Sequence, residues 1–256
     1  MTVSKIFSIA ALSALSLPVM AADFSFDRPG AGMSTGITPV GRLAWEQSLP
    51  NANYAESRNE NGEKVKTTTL NADMLFRTGL AQDLELQLGW QGLTWSKSKV
   101  AGKSVEDDGL GDVSIGLKKA IDLNDDRLSM AILAEAVLAT GNEGFSNEDD
   151  IYSLSSAVAY KYNDTVNTSI NMRYEIQNSD WAVTAIPGMD YQIMGNLSGF
   201  SELVYRKAES TDEEISLASG LIYAVSDRMQ FDASVGLELL GDHKNYQSAL
   251  GVAYLF

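Results

Sequence analysis

The last eleven residues, Tyr246 to Phe256, alternate strictly. Tyr246, Ser248, Leu250, Val252, Tyr254 and Phe256 share one face of an extended strand, and Gln247, Ala249, Gly251, Ala253 and Leu255 share the other, because successive side chains point to opposite sides. One face is apolar and aromatic, the other small or polar, and the chain stops on an aromatic residue. In water, such a bare strand invites edge-to-edge pairing. It needs an apolar surround and a partner on each side. A closed barrel in lipid supplies both.

The same period of two recurs along most of the chain, with turn signals between. It predicts strands at Arg42–Leu49, Thr67–Arg77, Leu84–Leu93, Asp112–Ala120, Arg127–Ala139, Ile151–Tyr162, Thr165–Gln177, Trp181–Gln192, Leu197–Arg206, Ile215–Val225 and Met229–Leu239, with the terminal strand as the twelfth. The seventh is the most regular: Val166, Ile170, Met172, Tyr174 and Ile176 oppose Asn167, Ser169, Asn171, Arg173, Glu175 and Gln177. The fifth is apolar on both faces around Glu135, and Pro187 weakens the eighth by removing a ladder donor.

Connections alternate in length. Thr78–Asp83, Asp122–Asp126, Asn163–Asp164, Ile193–Asn196 and Ser226–Arg228 are short. Pro50–Lys66, Thr94–Gly111, Gly141–Asp150, Lys207–Glu214 and Leu240–Asn245 are longer, with Asn178–Asp180 the exception. Short periplasmic turns with longer outer loops mark an outer-membrane barrel, and an even count puts both termini on the periplasmic side. Tyr160, Tyr162, Tyr191, Tyr223 and Tyr254 then fall near one membrane surface, and Trp90, Tyr152, Tyr174, Trp181, Tyr205 and Tyr246 near the other. These are two aromatic belts at headgroup depth. The fold class expected is all-β: a transmembrane, antiparallel, up-and-down barrel of about twelve strands in a Gram-negative envelope. Tyr254 and Phe256 resemble the terminal signal read by the outer-membrane assembly machinery, an expected partner alongside outer-membrane lipid and lipopolysaccharide.

The N-terminus fits export. Lys5 precedes an apolar core from Ile6 to Val19, and Val19 and Ala21 flank Met20 in an acceptable cleavage pattern, so residues 1–21 read as a signal peptide cleaved near Ala21. Residues 22–41 are a Gly- and Pro-rich lead-in containing Asp27, Arg28 and Pro29, without strand or helix periodicity. Two readings stay open for it: a periplasmic tail, or a plug-like segment in the barrel mouth. Residues 42–256 are the barrel.

Composition removes several functions. The chain has no cysteine, hence no thiolate metal site, and its formal charge of −15 opposes nucleic acid as a partner. The acidic loops Glu106-Asp107-Asp108, Glu148-Asp149-Asp150 and Asp212-Glu213-Glu214 lack the ordered spacing of a calcium site and read as solvated. His243 is the single imidazole, in a tight loop beside Asp242, with Ser248 on the lipid-facing register of the next strand. That is a poor basis for a hydrolase. No enzyme activity, metal or cofactor is expected.

Charges within strands are expected to face the lumen, because lipid penalises basic side chains at its midplane by roughly 2–4 kcal/mol. The candidate pore-lining set is Arg42, Glu46, Asp73, Arg77, Glu85, Asp112, Lys118, Glu135, Lys161, Arg173, Glu175, Asp190, Glu202, Arg206, Asp232 and Glu238. Its acidic excess favours cations or neutral solutes. Twelve strands lie between the filled eight-strand barrel and the open porin, so both a narrow passage and a filled interior remain open.

Two motifs carry a family resemblance. One is Asp27-Arg28-Pro29-Gly30, followed by Pro39-Val40-Gly41-Arg42. The other runs from Gly109-Leu110-Gly111-Asp112 through Val113-Ser114-Ile115-Gly116 to Leu117-Lys118. Together they resemble the outer-membrane transporter family of meta-pathway phenol degradation proteins, over nearly all of the mature chain. The chain departs from that family at Gly30, where an acidic or polar residue is usual. The resemblance implies a barrel and uptake of aromatic or other hydrophobic small molecules. The expectation is therefore an outer-membrane channel for passive uptake of a small-molecule solute. The alternative is a non-conducting structural or surface-interaction barrel.

Overall fold

A computed structural model describes residues 24–59, 61–209, 211–241 and 244–256. The signal-peptide expectation and His243 lie outside them. The described residues form thirteen strands: β1 Leu43–Arg58, β2 Lys64–Ala81, β3 Leu84–Val100, β4 Lys103–Leu110, β5 Val113–Ile121, β6 Leu128–Leu138, β7 Ile151–Lys161, β8 Val166–Gln177, β9 Asp180–Met194, β10 Leu197–Ala208, β11 Glu214–Ser226, β12 Met229–Leu240 and β13 Lys244–Leu255.

Every consecutive pair from β5 to β13 is antiparallel, β1 pairs with both β13 and β2, and a β2–β3 ladder completes the ring. The terminal strand runs beside β1 from Ala44 opposite Leu255 to Glu56 opposite Lys244. Twelve staves close the barrel, and the extra strand comes from a split stave. β4 pairs with the outer half of β3, from Leu93 to Val100, and β5 with its inner half, from Leu84 to Trp90. Gly111 and Asp112 form the step between them. Gly92, opposite the step, has φ +79°, and a Cβ there would sit 1.8 Å from the Ala72 carbonyl oxygen. Only glycine fits that crossing.

Apolar and polar residues are partitioned inside out relative to a protein in water. Leu88, Ile115, Leu154, Ile170, Phe231 and Leu250 are exposed on the outer face, while Glu46, Arg77, Glu85, Lys118 and Asp232 are buried inside. Tyr152, Tyr174, Trp181 and Tyr246 stand exposed near one end, and Tyr160, Tyr223 and Phe256 near the other. The Phe256 ring packs edge-on against Tyr254 at 4.8 Å.

The expected loops Pro50–Lys66 and Thr94–Gly111 are corrected. β1 and β2 continue to Arg58 and Lys64, and β3 turns into β4 at Ala101–Gly102. These strands of 16, 18 and 17 residues exceed the 9–11 that a bilayer needs. Above the membrane both faces are wet, so the apolar–polar alternation fades although the backbone ladder persists. A register shift between Ser48 and Asn51 accommodates Pro50.

Candidate functional site

The lead-in segment lies inside the barrel and is held mainly by side chains of the wall. The Asp27 and Arg28 amides donate to the Glu46 carboxylate at 3.1 and 2.8 Å. Ala31 N donates to Glu202 Oε1 at 2.8 Å on β10, and Met33 N to Asn171 Oδ1 at 3.1 Å on β8. Thr35 and Ser129 share a hydroxyl bond of 2.7 Å on β6, and Thr38 N donates to Glu85 Oε2 at 2.6 Å on β3. Val40 then bridges Gly79, and the chain enters β1. The segment thus crosses the lumen as a strap and returns to the wall it started from.

Arg28 is bound on three adjacent staves. It donates to Asp232 at 3.1 and 3.3 Å and to Ser48 Oγ at 2.6 Å, and lies flat over Gly251, where a Cβ would meet its Nη2 at 2.2 Å. Ser48, Gly251 and Asp232 are register partners on β1, β13 and β12. Arg77 is the second anchor. Its fully buried guanidinium reaches Glu46 and Glu85 at 2.9 Å each and Asp27 at 3.5 Å. It also donates to the carbonyls of Ser25 and Gly36 at 3.0 and 3.2 Å.

Asp27 joins the two motifs. Lys118 Nζ lies 3.0 Å from its Oδ1, Gln87 Nε2 donates to Oδ2 at 3.1 Å, and Ser34 donates from both N and Oγ. Burial alone would raise this carboxyl. Arg77, Lys118 and the Ser34 bonds outweigh burial and hold it well below the usual carboxylate range. Gly30 also gains a reason, since a Cβ there would come within 2.7 Å of Glu202 Oε2. An acid at that position would meet another acid.

Asp112 anchors the connection between β6 and β7. It accepts from Thr140 N, Gly141 N, Ser146 Oγ, Asn147 N and Asn147 Nδ2, all at 2.8–2.9 Å. Phe145 of the same connection packs where a Gly109 side chain would be. Asp112→Ala is expected to free residues 140–147. Protease cleavage there should rise by about tenfold or more, because bonds to a charged acceptor are each worth about 1.5–3 kcal/mol. Mass spectrometry of the fragments reads the cut sites, and an unchanged rate would contradict this anchoring.

The remaining predicted lumen residues divide by height. Glu135 follows Ala131 and Leu133, both buried, on the inner face of β6. Glu175 lies 3.8 Å from Arg173 and 3.6 Å from Arg206 toward the outer mouth. Asp73 lies 3.9 Å from Arg28 and accepts from Ser48 and Asn51. Glu238 is on the outer half of β12. Arg42 is a correction: it precedes β1, is exposed at the rim, and donates to the Phe256 carbonyl at 3.0 Å. It shares the parity of the inward Ala44 and Glu46, but the ladder begins only at Leu43, so the alternation does not reach it. Ser34, Ser48, Gln87 and Asn171 escaped the sequence reading because only charges were sought. Three of them, Ser48, Gln87 and Asn171, are on inward positions of strands and were legible as such.

Between the strap and the short turns is a cavity of about 1660 Å³. Asp83, Asn124, Asp164 and Asp227 of the turns line its mouth, and Asp190, Glu202, Lys161 and Phe200 line its wall.

An outer membrane channel from Pseudomonas putida F1 is similar to this chain, with a TM-score of 0.69 and 13% identity over 89% of this chain and 99% of that one. The NanC porin gives 0.53 and 11% identity, over 82% and 98%. The translocator domain of the autotransporter NalP from Neisseria meningitidis gives 0.53 and 8%, over 90% of each. At such identities the likeness is one of fold, that of Gram-negative outer-membrane barrels. No curated protein matches the chain in sequence. A family model matches residues 26–256, a span that takes in both the Asp27–Pro29 strap and the Lys118 wall that grips it, and the chain belongs to that family, described as "Putative MetA-pathway of phenol degradation".

Proposed function

We propose that the mature chain, after removal of residues 1–21, is an outer-membrane channel for passive uptake of small molecules, with residues 22–41 serving as its plug. The observation that carries this reading is the roomy cavity beneath a strap that is bonded to the wall mostly through side chains, so that water or solute can compete for each attachment. Phe24, Phe26, Met33 and Phe200 line the cavity beside Asp190 and Glu202. That mixture suits a small amphipathic or aromatic solute, in keeping with the family's description. Diffusion past the strap uses no cofactor and no catalytic residue.

Single-channel recording in planar bilayers, together with liposome swelling, tests the reading. No conductance and no solute entry would favour the sealed, structural barrel. Selectivity gives a finer check. The cavity lining carries nine acids, Asp122, Asp125, Asp126 and Asp190 among them, against Arg28, Arg127 and Lys161, so cations are preferred. Asp190→Asn should lower the cation-to-anion permeability ratio by about twofold, and Arg127→Gln should raise it. Reversal potentials in a salt gradient measure both. Asp232 is less suitable for this test, because it also holds Arg28.

A further inference from the structure

The geometry points to a lipid-phosphate docking face on the outer hairpins, where β13, β1, β2 and β3 rise above the aromatic belt, with the phosphorylated headgroup of lipid A as its occupant. The belt here is formed by Tyr246, Tyr54 and Trp95. Tyr54 and Tyr246 are register partners with ring centroids 6.3 Å apart. Two residues beyond the tyrosine pair, roughly 7 Å along β1 and β13, the same outward face turns basic. Lys244, Glu56, Lys66 and Lys99 stand side by side on four consecutive staves, and Arg58 is opposite Lys64 in the row above. Lys97 flanks them, opposite Thr68.

Two of these pairings, Lys66 with Lys99 and Arg58 with Lys64, set like charges directly across a ladder, which destabilises a sheet by itself. Internal compensation is partial. Glu56 serves both Lys64 at 2.5 Å and Lys66 at 3.4 Å, and Glu106 serves Lys97 at 2.6 Å. An external anion held across the rows removes the remaining repulsion. The rest of the outer mouth has the opposite character. The connections at 139–150 and 178–180 contain no Lys or Arg, and the 207–214 connection contains only Lys207. A chain of net charge −15 thus places on one sector most of the basic residues that its outer hairpins turn away from the lumen, at the depth where phosphates of the outer leaflet lie. Anionic headgroups attract basic residues there by a factor of about five for each Lys or Arg.

The test uses the full mature barrel in detergent, with native mass spectrometry as readout and diphosphoryl lipid A, phosphatidylethanolamine and inorganic phosphate as probes. Wild type should retain diphosphoryl lipid A in preference to phosphatidylethanolamine, with no displacement by millimolar inorganic phosphate. Lys66→Gln/Lys99→Gln should weaken retention by about thirtyfold. Arg58→Gln/Lys64→Gln should do the same, while Lys207→Gln leaves it unchanged. Heat-modifiable migration on gels confirms that each variant is a folded barrel. The proposal is overturned if both double variants bind as wild type does, if Lys207→Gln loses as much, or if inorganic phosphate displaces the lipid. None of these outcomes depends on whether the lumen conducts.

Discussion

Arg77→Met is expected to destabilise the folded barrel by about 3–5 kcal/mol, the usual cost of removing one partner from a buried ion network. The Arg77 side chain has no solvent exposure and is the shared cation for Glu46, Glu85 and Asp27. Without it, three carboxylates face one another across the strap, with Lys118 as the cation left beside them. The carbonyls of Ser25 and Gly36 also lose the bonds donated by Arg77, and Phe24 loses the guanidinium 5.4 Å from its ring. The methionine side chain replaces volume but no charge. The strap should therefore release, since detaching it lets water reach the three acids. Urea titration followed by heat-modifiable migration reads the stability, and current noise in bilayers reads the strap. Arg77→Lys should fall between, because an ammonium keeps the charge and loses the fork that serves two carboxylates at once. A midpoint equal to wild type in Arg77→Met would refute the anchor role.

The reach of sequence reasoning follows from the same residues. β13 was legible in register and facing because period two is unambiguous where one face meets lipid and the other does not. The inward position of Glu46, Arg77, Glu85, Lys118 and Asp232 followed from parity. Their partners did not, because each pairs with residues 24–38, a stretch whose path no periodicity records. Its bonds run from backbone amides to wall side chains, such as Ala31 to Glu202 and Met33 to Asn171, and such bonds impose no repeat. The hairpins above the membrane resemble loops in sequence for a related reason. Lys64, Lys66, Lys97 and Lys99 are strand residues with polar surroundings on both faces, so the polarity signal ends while the ladder goes on.

Deleting residues 24–36 is expected to raise single-channel conductance several-fold while leaving a folded barrel. The contrast with Arg77→Met is one of hydration. Substituting Arg77 strips three acids of their cation, and they gain water only by breaking the strap's bonds, whereas deletion removes Asp27 and hydrates Glu46 and Glu85 with Arg77 still between them, so the burial penalty falls away. Arg77 keeps Glu46 and Glu85, Thr38 keeps its bond to Glu85, and β1 still begins beside Val40 and Gly79. The bonds lost at Glu46, Asn171 and Glu202 pass to water, at a net cost of about 0.5–1.5 kcal/mol for the Asn171 amide and about 1.5–3 kcal/mol for each bond to a carboxylate. Conductance rises because the strap separates the 1660 Å³ cavity from the outer half of the lumen. The deletion removes Asp27 and Arg28 together, so the net charge of the lumen is unchanged and the wall's own excess of carboxylates should keep the pore cation-preferring. Unchanged conductance would place the narrowest point elsewhere, at the 139–150 connection tied to Asp112. Combining the deletion with Asp112→Ala distinguishes the two: a rise in the combined variant alone assigns the constriction to that connection, and a rise already complete on deletion assigns it to the strap.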